Sequence, residues 1–234
     1  VDIGSGWGSL TLFAAEHYGV HVTGVTLSVE QRDYVMGKAA ERGLAGRVDV
    51  SLRHFRDLEA SGVRDGEIDA IASIEMGEHV GDAEYVVFVD SIFRYLKPGG
   101  RALIQQMSRS NDAPGDRPGG GPFIETYIAP DMHMKPLAKT IGLIAASGLE
   151  IRDVQAMREH YPQTVAGWAR RLEDNWDVAV KLIGEENARV WRLYLVGGAL
   201  AFEENRMGVD QILSVKPSPR GVSGMPTSPM AWLA

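Results

Sequence analysis

The chain of 234 residues contains no cysteine, which excludes a disulfide scaffold, thiolate metal sites and a thiol nucleophile within it. No run approaches the roughly 18 apolar residues of a membrane span, and no signal peptide opens the chain. Positive charge is short as well. With 24 basic and 31 acidic side chains the net charge is −7, which argues against a nucleic-acid partner. Such a partner calls for a basic stripe that displaces counterions. The six histidines give no expectation of a metal site. Glycine is what the chain has in excess: 27 of 234, about 12% where about 7% is usual. The length suits one large domain with a sizeable core.

Short β-rich runs alternate with helical stretches in the first half, the pattern of a parallel sheet covered by helices. Strands are predicted at Val1–Ile3, Val20–Thr26, Val48–Leu52, Ile68–Ile74 and Ala102–Met107. Helices are predicted at Ser9–Tyr18, from Ser28 to about Arg42, and at Ala83–Tyr95. Ser28 with Gln31 three residues on forms a capping-box pattern, and Lys97-Pro98-Gly99-Gly100 reads as a stop and turn. Residues 108–122 hold three prolines and four glycines and read as a loop, with Asn111–Gly121 expected to be mobile. A helix at Met134–Ser147, a strand at Ile151–Met157, long helices at Pro162–Ile183 and Glu185–Glu204, and a strand at Val209–Val215 complete the fold. The expectation is one doubly wound α/β domain over residues 1–217, with a disordered tail over 218–234.

Asp2-Ile3-Gly4-Ser5-Gly6-Trp7-Gly8 falls between the first strand and the first helix. Glycines let the backbone turn tightly and approach a ligand, and the helix N-terminus behind them offers free N–H groups. In an open α/β sheet, ligands bind at this end of the strands. A dinucleotide fingerprint would need glycine at position 9 and an acid ending the second strand, where Ser9 and Thr26 stand. Asp2, directly before the turn, suits a cationic group such as the amino group of S-adenosylmethionine.

This run resembles motif I of class I methyltransferases. Further matches follow in order: Gly24-Val25-Thr26-Leu27-Ser28-Val29-Glu30-Gln31, Glu78-His79-Val80-Gly81, and Leu96-Lys97-Pro98-Gly99-Gly100. His160-Tyr161 with Thr164 and Trp168, and the closing Asp210-Gln211, complete the set. Together they resemble the cyclopropane-fatty-acyl-phospholipid synthase family, which includes mycolic-acid cyclopropane synthases and related fatty-acid methyltransferases. The resemblance runs to about Pro217. It implies a Rossmann-like, seven-stranded, mostly parallel sheet with helices on both faces and a C-terminal helical lid.

The resemblance also implies roles. Asp2, Gly4 and Gly6, with Trp7 in the same loop, would hold the methionine part of S-adenosylmethionine. Thr26 and Gln31 would take the ribose in place of the usual acid, and His54 and Phe55 would lie at the adenine. The family moves a methyl group to a cis double bond of an acyl chain, and a bound bicarbonate ion is thought to take the proton. Glu78 and Tyr161 match its holders, with Glu75 a second acid nearby. Gln105 falls where cyclopropane synthases carry histidine. Glutamine hydrogen-bonds but does not titrate near neutral pH. Relatives that make methylene-branched chains also depart there, so the expectation leans to a branched product, with a cyclopropane ring left open.

The implied partner is an unsaturated phospholipid acyl chain, met by a cytoplasmic enzyme in peripheral contact with the membrane's inner face; a homodimer is compatible. Trp168, Leu172, Trp176, Trp191, Leu195 and Phe202 recur at helical spacing and read first as core packing. Phe123, Ile124, Tyr127 and Ile128, with Met132, Met134 and Met157, form a second candidate acyl wall. Family members carry an upstream region, so this stretch is expected to be the C-terminal part of a longer enzyme, with little activity alone. Two other readings stay open: a small-molecule methyltransferase on the same sheet, and a cofactor-binding module without chemistry.

Overall fold

The computed structural model describes residues 1–110, 119–228 and 231. The strands are β1 (Asp2–Ile3), β2 (Val22–Thr26), β3 (Val48–Leu52), β4 (Ile68–Ile74) and β5 (Leu96–Arg109), followed by β6 (Lys135–Pro136), β7 (Glu150–Ala156) and β8 (Met207–Val215). The helices are α1 (Ser9–Tyr18), α2 (Val29–Glu41), α3 (Asp82–Tyr95), α4 (Pro122–Tyr127), α5 (Leu137–Ala146), α6 (Tyr161–Asp174) and α7 (Trp176–Glu203). The sheet order is β3-β2-β1-β4-β5-β8-β7, with β6 paired to β5. All pairs are parallel except the two that β8 makes with β5 and β7.

Alternation along the strands explains the layering. Val22, Val48 and Val50 bury one face against Leu12 and Ala15 of α1 and Val35 and Ala39 of α2. Val25, Ile71, Ile104 and Ile212 bury the other against α3, α5 and the short helix Phe55–Ser61. In α3 the buried residues Tyr85, Phe88, Val89, Ile92 and Tyr95 fall at helical spacing, a continuous apolar stripe. A separate cluster packs Val165 of α6 and Leu195 and Phe202 of α7 on Val209 of β8. These two helices form the lid.

Four local expectations change. Lys97–Gly100 does not end an element but lies inside β5, where the register with β4 shifts between Ile68 and Ala70. Gly99 accommodates the irregularity at φ 81. The fifth helix begins at Leu137 rather than Met134, because the ring of Pro136 holds Lys135 extended and the pair joins β5 as an eighth strand. The lid breaks first at Asn175, then kinks at Gly184 (φ 80), the break the sequence pattern suggests. Ser28 caps α2 by accepting from the Gln31 amide at 3.1 Å, but the Gln31 side chain turns to the Thr26 hydroxyl instead of closing the box.

Residues 111–118 of the expected mobile loop lie outside the described residues, as do 229, 230 and 232–234 of the tail. Before them, Lys216 pairs with Gly99 and Gly100, and Ser218 to Val222 form a turn.

Candidate active site

β1 ends in the glycine loop, and Gly4, Gly6 and Gly8 all have positive φ (79°, 52° and 79°). A Cβ on Gly4 would strike Met76 Cγ at 2.7 Å, and one on Gly8 would strike Val35 Cγ2 at 2.6 Å. Gly6 differs: the nearest atom to a Cβ there is the Gly4 carbonyl oxygen at 3.9 Å. Packing therefore requires glycine at 4 and 8, whereas the open side of Gly6 borders a cavity of about 720 Å³.

That cavity is lined by Gly4, Gly6, Thr26, Gln31, Arg53, His54 and Phe55 among others. Thr26 Oγ1 donates to Gln31 Oε1 at 2.5 Å. His54 rests on the Phe55 ring, centroids 4.2 Å apart, and its Nδ1 accepts from the Arg56 amide. Burial, then the charge of Arg56, lowers the His54 pKa, so its ring presents a neutral face. Two residues of the motif lie elsewhere. Asp2 is buried behind the loop, accepting from Thr11 Oγ1 at 2.6 Å, with its pKa raised chiefly by burial. Trp7 is 57% exposed and meets Tyr34 edge-on.

At its far end the cavity reaches Glu75, Met76 and His79. Glu75 and His79 also line a second, mostly apolar cavity of about 340 Å³ under the lid, with Glu78, Met107, Tyr161, Trp168, Tyr194 and Phe202. This continues through Met107, Met132, Tyr194, Gly198 and Met207 into a third space of about 840 Å³, walled also by Phe123, Ile124, Met134 and Leu193. Of the candidate acyl wall, Phe123, Ile124, Ile128, Met132 and Met134 face these cavities; of the residues expected as core packing, Trp168, Leu195 and Phe202 also line them, the last two from within a core cluster. Leu172 and Met157 pack in the lid core, Trp176 lies under Arg192, and Trp191 and Tyr127 are exposed.

Glu75, Glu78, Gln105 and Tyr161 meet at the junction. Tyr161 Oη donates to Glu75 Oε1 at 2.8 Å, and Gln105 Nε2 donates to the same oxygen at 2.6 Å. Strand register supports this: Ile74 lies opposite Gln105, and Gln105 opposite Gln211. Gln211 Nε2 donates to Gln105 Oε1 at 2.6 Å, which turns the Gln105 amino group toward Glu75. Glu75 itself is held at φ 53, a left-handed conformation that costs a non-glycine residue about 1–2 kcal/mol.

Glu78 is buried three residues on, its Oε2 without a hydrogen-bond partner. Burial foremost, then the negative charge of Glu75 and a hydrogen bond shared with it, pushes the Glu78 carboxyl up to about 9. Glu78 therefore keeps its proton at neutral pH. Burial and Glu75 also raise the Tyr161 hydroxyl, which stays a donor. The sequence marked Glu78, Tyr161 and Gln105; the central position of Glu75 comes from a backbone angle that no spacing encodes.

Among the described residues no group of three or more His, Asp or Glu could hold a metal. His17 and His21 stand four apart, but α1 ends at Tyr18 and Gly19 turns left-handed between them. No described helix is long and apolar enough to cross a membrane.

The sheet order, the glycine loop ending β1 and the cavity above it define a methyltransferase domain of the S-adenosylmethionine-dependent class. Residues 1–212 match the family described as mycolic acid cyclopropane synthetase, and the chain belongs to that family. It is 35% identical over 227 residues to the "Probable fatty acid methyltransferase" of Pseudomonas putida, covering 97% of this chain and 57% of that protein. With the cyclopropane-fatty-acyl-phospholipid synthase of Escherichia coli it shares 30% over 214 residues, 91% of this chain and 52% of the relative. The solved mycolic acid cyclopropane synthase CmaA1, complexed with SAH and CTAB, superposes with a TM-score of 0.79 at 27% identity. That match covers 91% of this chain and 76% of the other. The chain spans about half the length of the curated relatives it matches.

The cavity predicts a first variant. Gly6→Ala places a methyl group on the cofactor side without a packing clash, so S-adenosylhomocysteine affinity should fall at least about tenfold, or ~1.4 kcal/mol. Calorimetric titration checks this, and unchanged affinity would remove the loop from the cofactor site.

Proposed function

We propose that this chain carries the methyl-transfer domain of an enzyme that methylates the cis double bond of an unsaturated phospholipid acyl chain. Bound S-adenosylmethionine supplies an electrophilic methyl group. In this reading Gly4, Gly6, Thr26, Gln31, His54 and Phe55 hold the cofactor, and Asp2 supports the loop from behind through Thr11. The apolar spaces under α6 and α7 take the acyl chain and exclude water. The observation that carries the reading is the meeting of the glycine-loop cavity with the cavity under the lid at Glu75 and His79, beside Glu78 and Tyr161.

A cation forms on the acyl chain once the double bond has accepted the methyl group, and it must lose a proton. At neutral pH the protonated Glu78 donates a hydrogen bond, and it holds its place without adding a second negative charge. Gln105 neither gains nor loses a proton, and its amino group is already committed to Glu75 and Tyr161. We therefore favour the methylene-branched product over the ring.

The full-length protein, supplied with S-adenosylmethionine and oleoyl phospholipid vesicles, should yield a methylated acyl chain whose structure mass spectrometry reads. A cyclopropane ring would overturn the branched product. Methylation of small polar acceptors with no change in the lipid would overturn the lipid reading.

A further inference from the structure

Among the described residues, Glu75 is the one acid that lines both the cofactor cavity and the cavity under the lid. Three elements hold it there. The Glu75 amide donates to the Gln105 carbonyl at 2.8 Å, its carboxylate accepts from Gln105 on β5 and from Tyr161 on α6, and its backbone is kept left-handed. Strain of this kind persists where the surroundings over-determine a conformation, and it collects at functional positions. The bonds from Gln105 and Tyr161 both end on Oε1, and protonated Glu78 shares a further hydrogen bond with the carboxylate. Gln105 is itself fixed by Gln211, so the donors are aligned before anything binds.

We propose that Glu75 is the proton acceptor of the reaction, a built-in carboxylate that occupies the donors an added anion would use. The inference rests on the reaction class given above. Methyl transfer leaves a carbon of the acyl chain electron-deficient. A C–H bond next to it, or on the new methyl group, then breaks, and its electron pair becomes the new C=C or C–C bond. The proton goes to the Glu75 carboxylate, which later releases it to water. Tyr161 and Gln105 steady the negative charge beforehand, and no bicarbonate is needed.

The test has a binding arm and a turnover arm. Bicarbonate labelled with ¹³C is titrated into the chain saturated with S-adenosylhomocysteine and followed by NMR. The wild type should bind none, because Tyr161 and Gln105 are engaged. Glu75→Gly vacates both donors and relaxes the backbone, so it should fold and bind the ion. Adding Tyr161→Phe to it should abolish that binding. In turnover by the full-length protein, the wild type should be indifferent to carbon dioxide-free buffer, Glu75→Gln should fall at least about 100-fold, and Glu75→Gly should regain activity with added bicarbonate.

Bicarbonate bound by the wild type, or wild-type turnover that collapses without it, would overturn the proposal; so would full activity of Glu75→Gln. If no variant methylates any unsaturated phospholipid, the proposed function fails. The binding arm then decides by itself whether Glu75 fills the anion position.

Discussion

Glutamine at position 78 is expected to lower methyl transfer at least about 100-fold and, separately, to flatten the loss of stability on going from acid to neutral pH. Glu78 is 2% exposed, and its carboxyl is raised from an ordinary 4.5 to about 9, first by burial and then by Glu75. The amides of Glu78 and Met107 pull the other way without winning. Because the folded value lies above the unfolded one, the folded chain keeps a proton that the unfolded chain releases. The stability tied to that proton is complete below about pH 4.5 and is lost as pH climbs toward about 9. The slope is at most about 1.4 kcal/mol per pH unit. Glutamine does not titrate, so this slope should vanish.

Lys135 acts in the opposite sense at higher pH. Burial lowers it to about 8, so its contribution turns on above that point. Asp2 and Asp210, also raised by burial, act in the same sense in both chains, so the difference between the two chains' thermal melting between about pH 5 and 7.5 isolates Glu78. Parallel melting curves would mean that Glu78 loses its proton at little cost. Near-normal turnover of Glu78→Gln would remove Glu78 from the mechanism.

Gly77→Ala should destabilise the fold by about 2–4 kcal/mol, although alanine is ordinarily the better helical residue. A Cβ at 77 would fall 1.9 Å from Gln106 Oε1 and 2.8 Å from its Cδ. Gln106 is fully buried, accepts from the Tyr85 hydroxyl at 2.6 Å and donates to Thr140 at 3.4 Å. Displacing it leaves the Tyr85 hydroxyl unpaired, and burial already forces that group to remain protonated. Urea denaturation measures the loss, and a value below about 1 kcal/mol would show that Gln106 moves aside freely. In the Gln106→Ala background the same substitution should cost less, the coupling expected of touching residues.

Much of this molecule is legible in its residues. The alternation of β-rich and helical runs marks seven of the eight strands among the described residues. The glycine spacing marks the cavity end of the sheet. The eighth strand escapes because it has only two residues, and its extension depends on a proline that also reads as a helix start. The break at Asn175 escapes because nothing in Asp174-Asn175-Trp176 forbids a helix. Glu78 and Tyr161 are visible through their motifs.

Glu75 and Gln211 matter through geometry, which spacing does not carry. One is set by a left-handed backbone and the other by strand register across an antiparallel insertion. Asp2 shows the converse. Its motif points at a ligand, and in the structure its Oδ2 accepts from Thr11.

A chain without cysteine would be thought indifferent to oxidants, yet the space proposed to take the acyl chain is walled by Met107, Met132, Met134 and Met207. Peroxide converts a thioether to a polar, chiral sulfoxide. One such oxygen in a channel shaped for hydrocarbon would oppose the entry of lipid while leaving the cofactor pocket largely as it was. The redox weak point of this protein is thus its lining, and a methionine sulfoxide reductase is the repair it would call upon.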